Sequence, residues 1–188
     1  MYDYLLVINP NTEISRDVKA FKQQVAGVLG MYNSRYSQAH ISLFRSVFPE
    51  KYEHDFVYLL ENIARKQSGF AIYTSRFDYF QHGPHKRTLY VNVANPKPLA
   101  ELRKRVLQEL DIKPNDFKPH ITVARAISTA EFEKVYPLFE NQMYVRSFNC
   151  HSFLLLRRPA TGGVYERVRE LVFGEEVQAA GPLFIHAA

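Results

Sequence analysis

Ala39-His40-Ile41-Ser42-Leu43-Phe44-Arg45 and Pro119-His120-Ile121-Thr122-Val123-Ala124-Arg125 are two versions of one short pattern, their histidines 120 − 40 = 80 residues apart. Each runs histidine, aliphatic, hydroxyl, aliphatic, with an arginine further on. The apolar and β-branched content of both predicts strands, where side chains at i and i+2 share a face. His40 and Ser42 then point one way, with Ile41 and Leu43 opposite. His120 and Thr122 do the same over Ile121 and Val123. An imidazole moves a proton near neutral pH, and a hydroxyl donates to a phosphate oxygen. Two such pairs facing one cleft would bracket a single phosphorus atom. One neutral histidine takes a proton from water or a ribose hydroxyl, and the other, protonated, gives one to the leaving oxygen. Each step contributes ~10²–10⁴-fold in rate.

One such segment alone reads more simply as a half-buried strand histidine with a local hydrogen bond. The chain has seven histidines, at 40, 54, 82, 85, 120, 151 and 186. At average composition roughly one histidine in a hundred is followed by aliphatic, Ser/Thr, aliphatic. Two copies therefore outweigh the plainer reading.

Working outward, Tyr4–Ile8 is an apolar run ended by Asn9-Pro10-Asn11, a buried strand and a turn. Thr12 is the expected cap of a helix carrying Val18, Phe21, Val25, Val28 and Leu29 on one face, with Gly30 as its stop. A second helix is expected over about 51–66. Phe70–Phe80 and Arg87–Val93 form a hairpin around Gln81-His82-Gly83-Pro84. Pro96 and Pro98 open a third helix with Leu99, Leu102, Val106 and Leu110 inside. Ser128 caps a fourth, to about Phe139. Val145–Phe148, Phe153–Leu156 and Val164–Phe173 complete the strands, and Gln178–Ala188 is a loose terminus or a docked strand. Interleaved helices with tight hairpins predict an α+β fold of largely antiparallel sheets rather than a doubly wound parallel sheet. A strand-helix-histidine-strand-helix order occurs in the first half and recurs from Arg87 onward. No Pro/Gly/Ser linker divides residues 1–188, so one domain is expected.

The net charge is +5 and the pI about 9.3. A basic surface favours polyanions. Cys150 is the only cysteine, so no internal disulfide or zinc cluster can form from thiols. The N-terminus carries no basic stretch with a long apolar run, and no segment is long enough to span a bilayer. A cytoplasmic monomer is expected, with no membrane association and no metal or other cofactor.

The paired motifs resemble those of the two-histidine (2H) phosphoesterases, which include 2′–5′ RNA ligase-like proteins and cyclic phosphodiesterases. The shared signature is a duplicated His-x-Thr/Ser-aliphatic, here His40-Ile41-Ser42-Leu43 and His120-Ile121-Thr122-Val123. The run Lys118 to Arg125 is similar to the second motif of the ligase-like branch. The resemblance implies a bilobal fold with pseudo-twofold symmetry and a central cleft. It implies hydrolysis of 2′,3′-cyclic phosphates, or reversible 2′–5′ joining, on RNA or a nucleotide. By position it implies His40 and His120 as the acid–base pair, with Ser42, Thr122 and Arg125 on the phosphate. Ser42 stands where threonine is common.

Weaker candidates surround these. Arg45 has the same offset from its histidine as Arg125, but an odd offset on a regular strand points away from the histidine. Both arginines need a bulge or a strand end to reach a phosphate. Phe44, Tyr90 and Tyr165 are candidate substrate contacts, as are Tyr36 and Phe80 for base stacking, against a default of core packing. His82, His85, Lys86 and Arg87 read as a solvated hairpin tip, and Arg103-Lys104-Arg105 as a wet helix face. Arg157 and Arg158 fit a polar strand end as well as a substrate contact. Two alternatives share the scaffold: an enzyme for a small nucleotide, such as a cyclic ADP-ribose phosphate or a 2′–5′ oligoadenylate, and a non-catalytic RNA-binding module.

Overall fold

The apolar run at the start of the chain lies in β1 (Tyr2–Ile8), buried from Asp3 onward in the computed structural model. The structure describes residues 1–174, so the expected behaviour of Gln178–Ala188 lies outside the described residues. After β1 come α1 (Thr12–Leu29), β2 (Ile41–Phe48), a 3₁₀ turn at Glu50–Tyr52, α2 (Glu53–Arg65), β3 (Phe70–His82) and β4 (Lys86–Val93). Then follow α3 (Lys97–Glu109), β5 (His120–Ser128), α4 (Thr129–Val135), β6 (Ser147–Cys150), β7 (Ser152–Pro159) and β8 (Glu166–Val172). The strands form two four-stranded sheets, ordered β2-β1-β7-β8 and β5-β4-β3-β6. Every pairing within them is antiparallel. The fold is α+β, as the alternation of periods predicts.

Local chemistry sets the helix ends. The Asn11 side chain accepts the Ile14 N–H at 3.0 Å, so Asn11 caps α1, one residue before the expected Thr12. Gly30 ends α1 with φ 72°, a left-handed backbone that suits glycine. Ser128 and Glu131 form a reciprocal capping box at α4. The buried stripe of α1 is Ile14, Val18, Lys22 and Val25, whereas Val28 is 44% exposed. The core side of α1 thus contains a lysine, and Val28 falls outside the stripe while Ala26 and Leu29 pack at its margin.

The order β1-α1-β2-α2 recurs as β4-α3-β5-α4. β1 pairs with β2, and β4 with β5. The halves then exchange material. β3, which follows the first half, pairs with β4, and β7, which follows the second, pairs with β1. α1 packs on β5 and α3 on β2. One buried apolar cluster therefore runs from Tyr4, Leu6 and Ile41 of the first sheet to Leu89, Val91 and Ile121 of the second. β2 and β5 are sheet edges, and they approach each other. This brings the two histidine motifs together. Among the described residues no helix is long and apolar enough to cross a membrane.

Asp3 anchors the far end of β1. It is 2% exposed and accepts from Arg45 Nε (2.7 Å) and Nη2 (2.7 Å), from Arg158 Nε (2.9 Å) and from Tyr165 Oη (2.7 Å). The Arg45 guanidinium, helped by Tyr165 and Arg158, holds the Asp3 carboxyl far below the usual carboxylate range against the opposing effect of burial. Three strands of the first sheet and the start of a fourth are pinned at one carboxylate. Asp3→Asn is expected to lower unfolding free energy by about 2–3 kcal/mol at neutral pH. This is below the usual loss on breaking a buried pair, because Arg45 is half in water. A depressed folded-state pKa contributes stability that is present above the unfolded value. Urea titrations should therefore show the difference between wild type and Asp3→Asn narrowing progressively below about pH 4.

Candidate active site

Each motif strand carries a β-bulge at the same place. Along β1 and β2, Val7 pairs with Ser42 and Leu6 with Phe44, leaving Leu43 extra. Along β4 and β5, Tyr90 pairs with Thr122 and Leu89 with Ala124, leaving Val123 extra. An extra residue inverts the facing of everything after it. This answers the odd offset of the two arginines. Val123 and Ala124 are both fully buried, and Arg125 comes back to the exposed side with His120 and Thr122. A second irregularity sets Arg125 and Ala126 against Thr88, with Ala126 at φ 50°. Thr88 Oγ1 closes it by accepting the Ala126 N–H at 2.9 Å, and lies 2.9 Å from His82 Nε2.

The histidines sit in matching hydrogen bonds. His40 Nδ1 lies 2.9 Å from Gln38 O, and His120 Nδ1 lies 2.8 Å from Lys118 O. A carbonyl oxygen only accepts, so Nδ1 carries the hydrogen in both rings. In the neutral imidazole Nε2 is then the free base. Both rings are half-buried. Burial pushes both pKa values below the usual histidine value, against the pull of the two carbonyl bonds. Arg125 pushes both down further, Lys22 and His120 add to this at His40, and Lys118 and His82 add to it at His120. Rings held this way can accept a proton at one Nε2 and release one from the other.

A cleft of about 950 Å³ has Ser42, Phe44 and Arg45 of β2, His120 of β5, and Arg103 and Phe117 on its walls. His40, Thr122 and Arg125 are not on these walls, although their strands β2 and β5 approach each other. Phe80 also faces this cleft, edge-on to His120 with ring centroids 4.9 Å apart. Phe44 lines the cleft and packs on the core at the same time. Arg45 reaches the cleft, yet its guanidinium is committed to Asp3. Tyr165 precedes β8 and spends its hydroxyl on Asp3. Arg157 is bound by Glu50, Glu53 and Glu166, and Arg158 by Asp3. Tyr36, 76% exposed, borders a separate hollow with Lys19 and Arg35.

Tyr90 is fully buried beside His120, with ring centroids 5.0 Å apart. Its hydroxyl forms no hydrogen bond of normal geometry, although Lys118 and Asp78 flank it. Lys118 Nζ bonds Asp78 Oδ2 at 2.9 Å and lies 5.3 Å from the Tyr90 ring centroid. Asp78 escaped the sequence reading. Arg103 is not a wet helix face. Its Nε donates to Leu43 O at 3.0 Å, the carbonyl of the β2 bulge, and its guanidinium covers the Phe117 ring. Among the described residues no group of His, Cys, Asp and Glu is arranged to hold a metal ion.

Two exchanged four-stranded sheets, each with a His-x-Ser/Thr strand at its edge, define the two-histidine phosphoesterase class. The family model of the 2′-5′ RNA ligase superfamily matches residues 10–162, and the chain belongs to that superfamily. No curated protein sequence matches it significantly. Among solved structures, TT0787 of Thermus thermophilus is similar at 18% identity and TM-score 0.66, over 93% of this chain and 99% of that one. Escherichia coli LigT in apo form is similar at 17% identity and TM-score 0.66, over 92% and 98%. LigT complexed with 3′-AMP is similar at 15% identity and TM-score 0.64, over 92% and 98%. LigT also has structures with phosphate, NADP+ and ATP.

The ring geometry makes a substrate-free expectation. Nitrogen NMR should find His40 and His120 both as Nδ1–H tautomers at pH 8, with titration midpoints below the usual ~6.5. An Nε2–H tautomer in either ring would contradict the carbonyl bonds.

Proposed function

We propose that the protein is a metal-independent phosphodiesterase that opens 2′,3′-cyclic phosphates at RNA ends or on nucleotides, with His40 and His120 as its acid–base pair. The observation that carries this is the matched pair of Nδ1–H bonds to Gln38 O and Lys118 O, which leave both Nε2 atoms free. In the hydrolytic direction, one neutral histidine takes a proton from water as the water oxygen bonds to phosphorus. The P–O3′ bond breaks, and the second histidine gives its proton to O3′, leaving a 2′-phosphate. A ribose hydroxyl in place of water gives joining by the same route. The Ser42 and Thr122 hydroxyls and the Arg125 guanidinium stabilise charge on the non-bridging oxygens. Arg125 serves this better than Arg45, because Asp3 already neutralises Arg45.

The aromatic walls at Phe44, Phe80 and Phe117 suit a nucleoside. Phe44 is then a substrate contact, and Tyr90 supports the His120 side of the cleft. Arg45 and Tyr165 act on the substrate only through the β2 wall that Asp3 holds. The net charge of +5 favours a polyanion. The single buried thiol, Cys150, fits a cytoplasmic enzyme, and its pKa is raised to about 12 by burial. A free nucleotide rather than an RNA end is the second form of substrate, supported by the nucleotide-sized cleft.

His40→Ala and His120→Ala should each cut turnover of a 2′,3′-cyclic nucleotide by about 10²–10⁴-fold, with wild-type rates unchanged in excess EDTA. Full activity in both variants would sink the proposal. Arg125→Met should lower kcat by about 10²-fold, well beyond the effect of Arg45→Met. Because both histidine pKa values are lowered, the kcat/KM profile should be a bell centred below about pH 6.5. It reports the pair rather than either ring. A bound phosphate anion favours the protonated rings, so the kcat profile should sit at higher pH.

A further inference from the structure

Lys22 occupies the apolar stripe of α1 between Val18 and Val25 and is 3% exposed. Its ammonium donates to Ser34 O at 3.0 Å, Ser37 O at 2.7 Å and Ser37 Oγ at 2.6 Å. All three of its protons are therefore used. Burial, with Arg125 nearby, pulls its pKa down to about 8, and among the described residues no carboxylate offsets it. A methionine would fill the same space without desolvating a charge. Packing alone gives no reason for a lysine at this position.

The segment that Lys22 grips has two working ends. Toward the C-terminus, Gln38 O holds the His40 ring. Toward the N-terminus, Ser34 Oγ accepts the Arg125 N–H at 2.8 Å. Tyr32 Oη lies 3.3 Å from Val123 O and 3.2 Å from Lys22 O, so its one proton is shared between them. Val123 and Arg125 belong to the bulged stretch of β5. One ammonium thus organises residues 32–38, and these hold one histidine by its ring and the opposite motif by its backbone. The pseudo-twofold supplies a counterpart. Arg103 of α3 donates to Leu43 O at the β2 bulge and, at 3.2 Å, to Asn115 O in the loop before His120.

We propose that Lys22 is a positioning residue for both histidine motifs, setting through residues 32–38 the aim of His40 and the backbone course of β5 at Arg125. Its kinetic consequence rests on the phosphodiesterase reading; its structural consequence does not. The charged groups acting on His40 are Arg125, Lys22 and His120. Removing Lys22 deletes one repulsive charge and loosens the carbonyl bond at once. The first raises the His40 pKa and the second lowers it. Of the two, the carbonyl bond acts on His40 more strongly than the Lys22 charge, so a downward shift is the expected balance.

Lys22→Met is the test, read by thermal denaturation, histidine NMR titration, the Arg125 amide resonance, and kcat and KM on a 2′,3′-cyclic nucleotide. The expected variant is folded, with Tm unchanged or raised. Its His40 midpoint moves further below the usual value while His120 moves less, and the Arg125 amide resonance shifts. kcat falls roughly ten- to hundred-fold with little change in KM, as for a small misplacement of catalytic groups. A folded Lys22→Met with wild-type His40 titration and Arg125 amide resonance would overturn the proposal. Should Lys22→Met fail to fold, Ser34→Ala removes only the acceptor for the Arg125 N–H and leaves the carbonyl that Lys22 holds. That amide should then lose exchange protection and kcat should fall, and wild-type values for both would overturn the proposal equally. A wild-type protein with no turnover on any phosphodiester sinks the function and leaves the NMR measurements to decide the role of Lys22.

Discussion

Two backbone carbonyls, Gln38 O and Lys118 O, govern what the histidines can do. Each accepts the Nδ1–H of the ring two residues later. A carbonyl has no proton to give, so the tautomer is set by the backbone and Nε2 is left as the unprotonated nitrogen of the neutral ring. Imidazoles on a mobile loop would sample both tautomers. The rest of the molecule keeps those carbonyls and rings in register. β1 and β4 hold the motif strands at their sheet edges, the exchanged strands β3 and β7 lock the sheets together, and α1 and α3 each brace the opposite motif strand.

The twofold is a property of the backbone and not of the charges. Both motif strands bulge after the hydroxyl residue, and both bulge carbonyls are met by a donor from the other half, Arg103 at Leu43 and Tyr32 at Val123. The side chains then diverge. Arg45 is neutralised by a buried carboxylate, whereas Arg125 is exposed and lowers the pKa of both imidazoles. Gln38 stands where the second half has Lys118, which bonds Asp78 next to the unsatisfied Tyr90 hydroxyl. In the first half of the frame the arginine is a structural clamp on Asp3. In the other half the corresponding arginine is exposed, so a symmetric backbone carries an asymmetric set of charges.

Much of this was legible along the chain. The histidine–hydroxyl facing follows from the period of a strand, and the capping box at Ser128 follows from Glu131 three residues later. The arginines were not legible, because a bulge is one unpaired residue between strands distant in sequence and leaves no local signature. Lys22 did leave a signal: it falls at the core-facing spacing of Val18 and Val25. Strand reading from Tyr4 left out Asp3, which is buried because β1 is flanked on both sides. Arg103 looked like one of three solvated cations, since its acceptor Leu43 O belongs to a strand 60 residues away.

By itself the sequence determined the element types, the α+β class, the two histidines and the hydroxyl beside each. These follow from periodicity and side-chain chemistry within a few residues. Tertiary structure alone decided which arginine is paired with a buried carboxylate, which hydroxyls and cations anchor the loops, and how two motifs 80 residues apart (120 − 40) come to lie on neighbouring strands. Those outcomes depend on strand register and on burial. Both are set when distant segments pair, and neither is encoded in any single stretch of the chain.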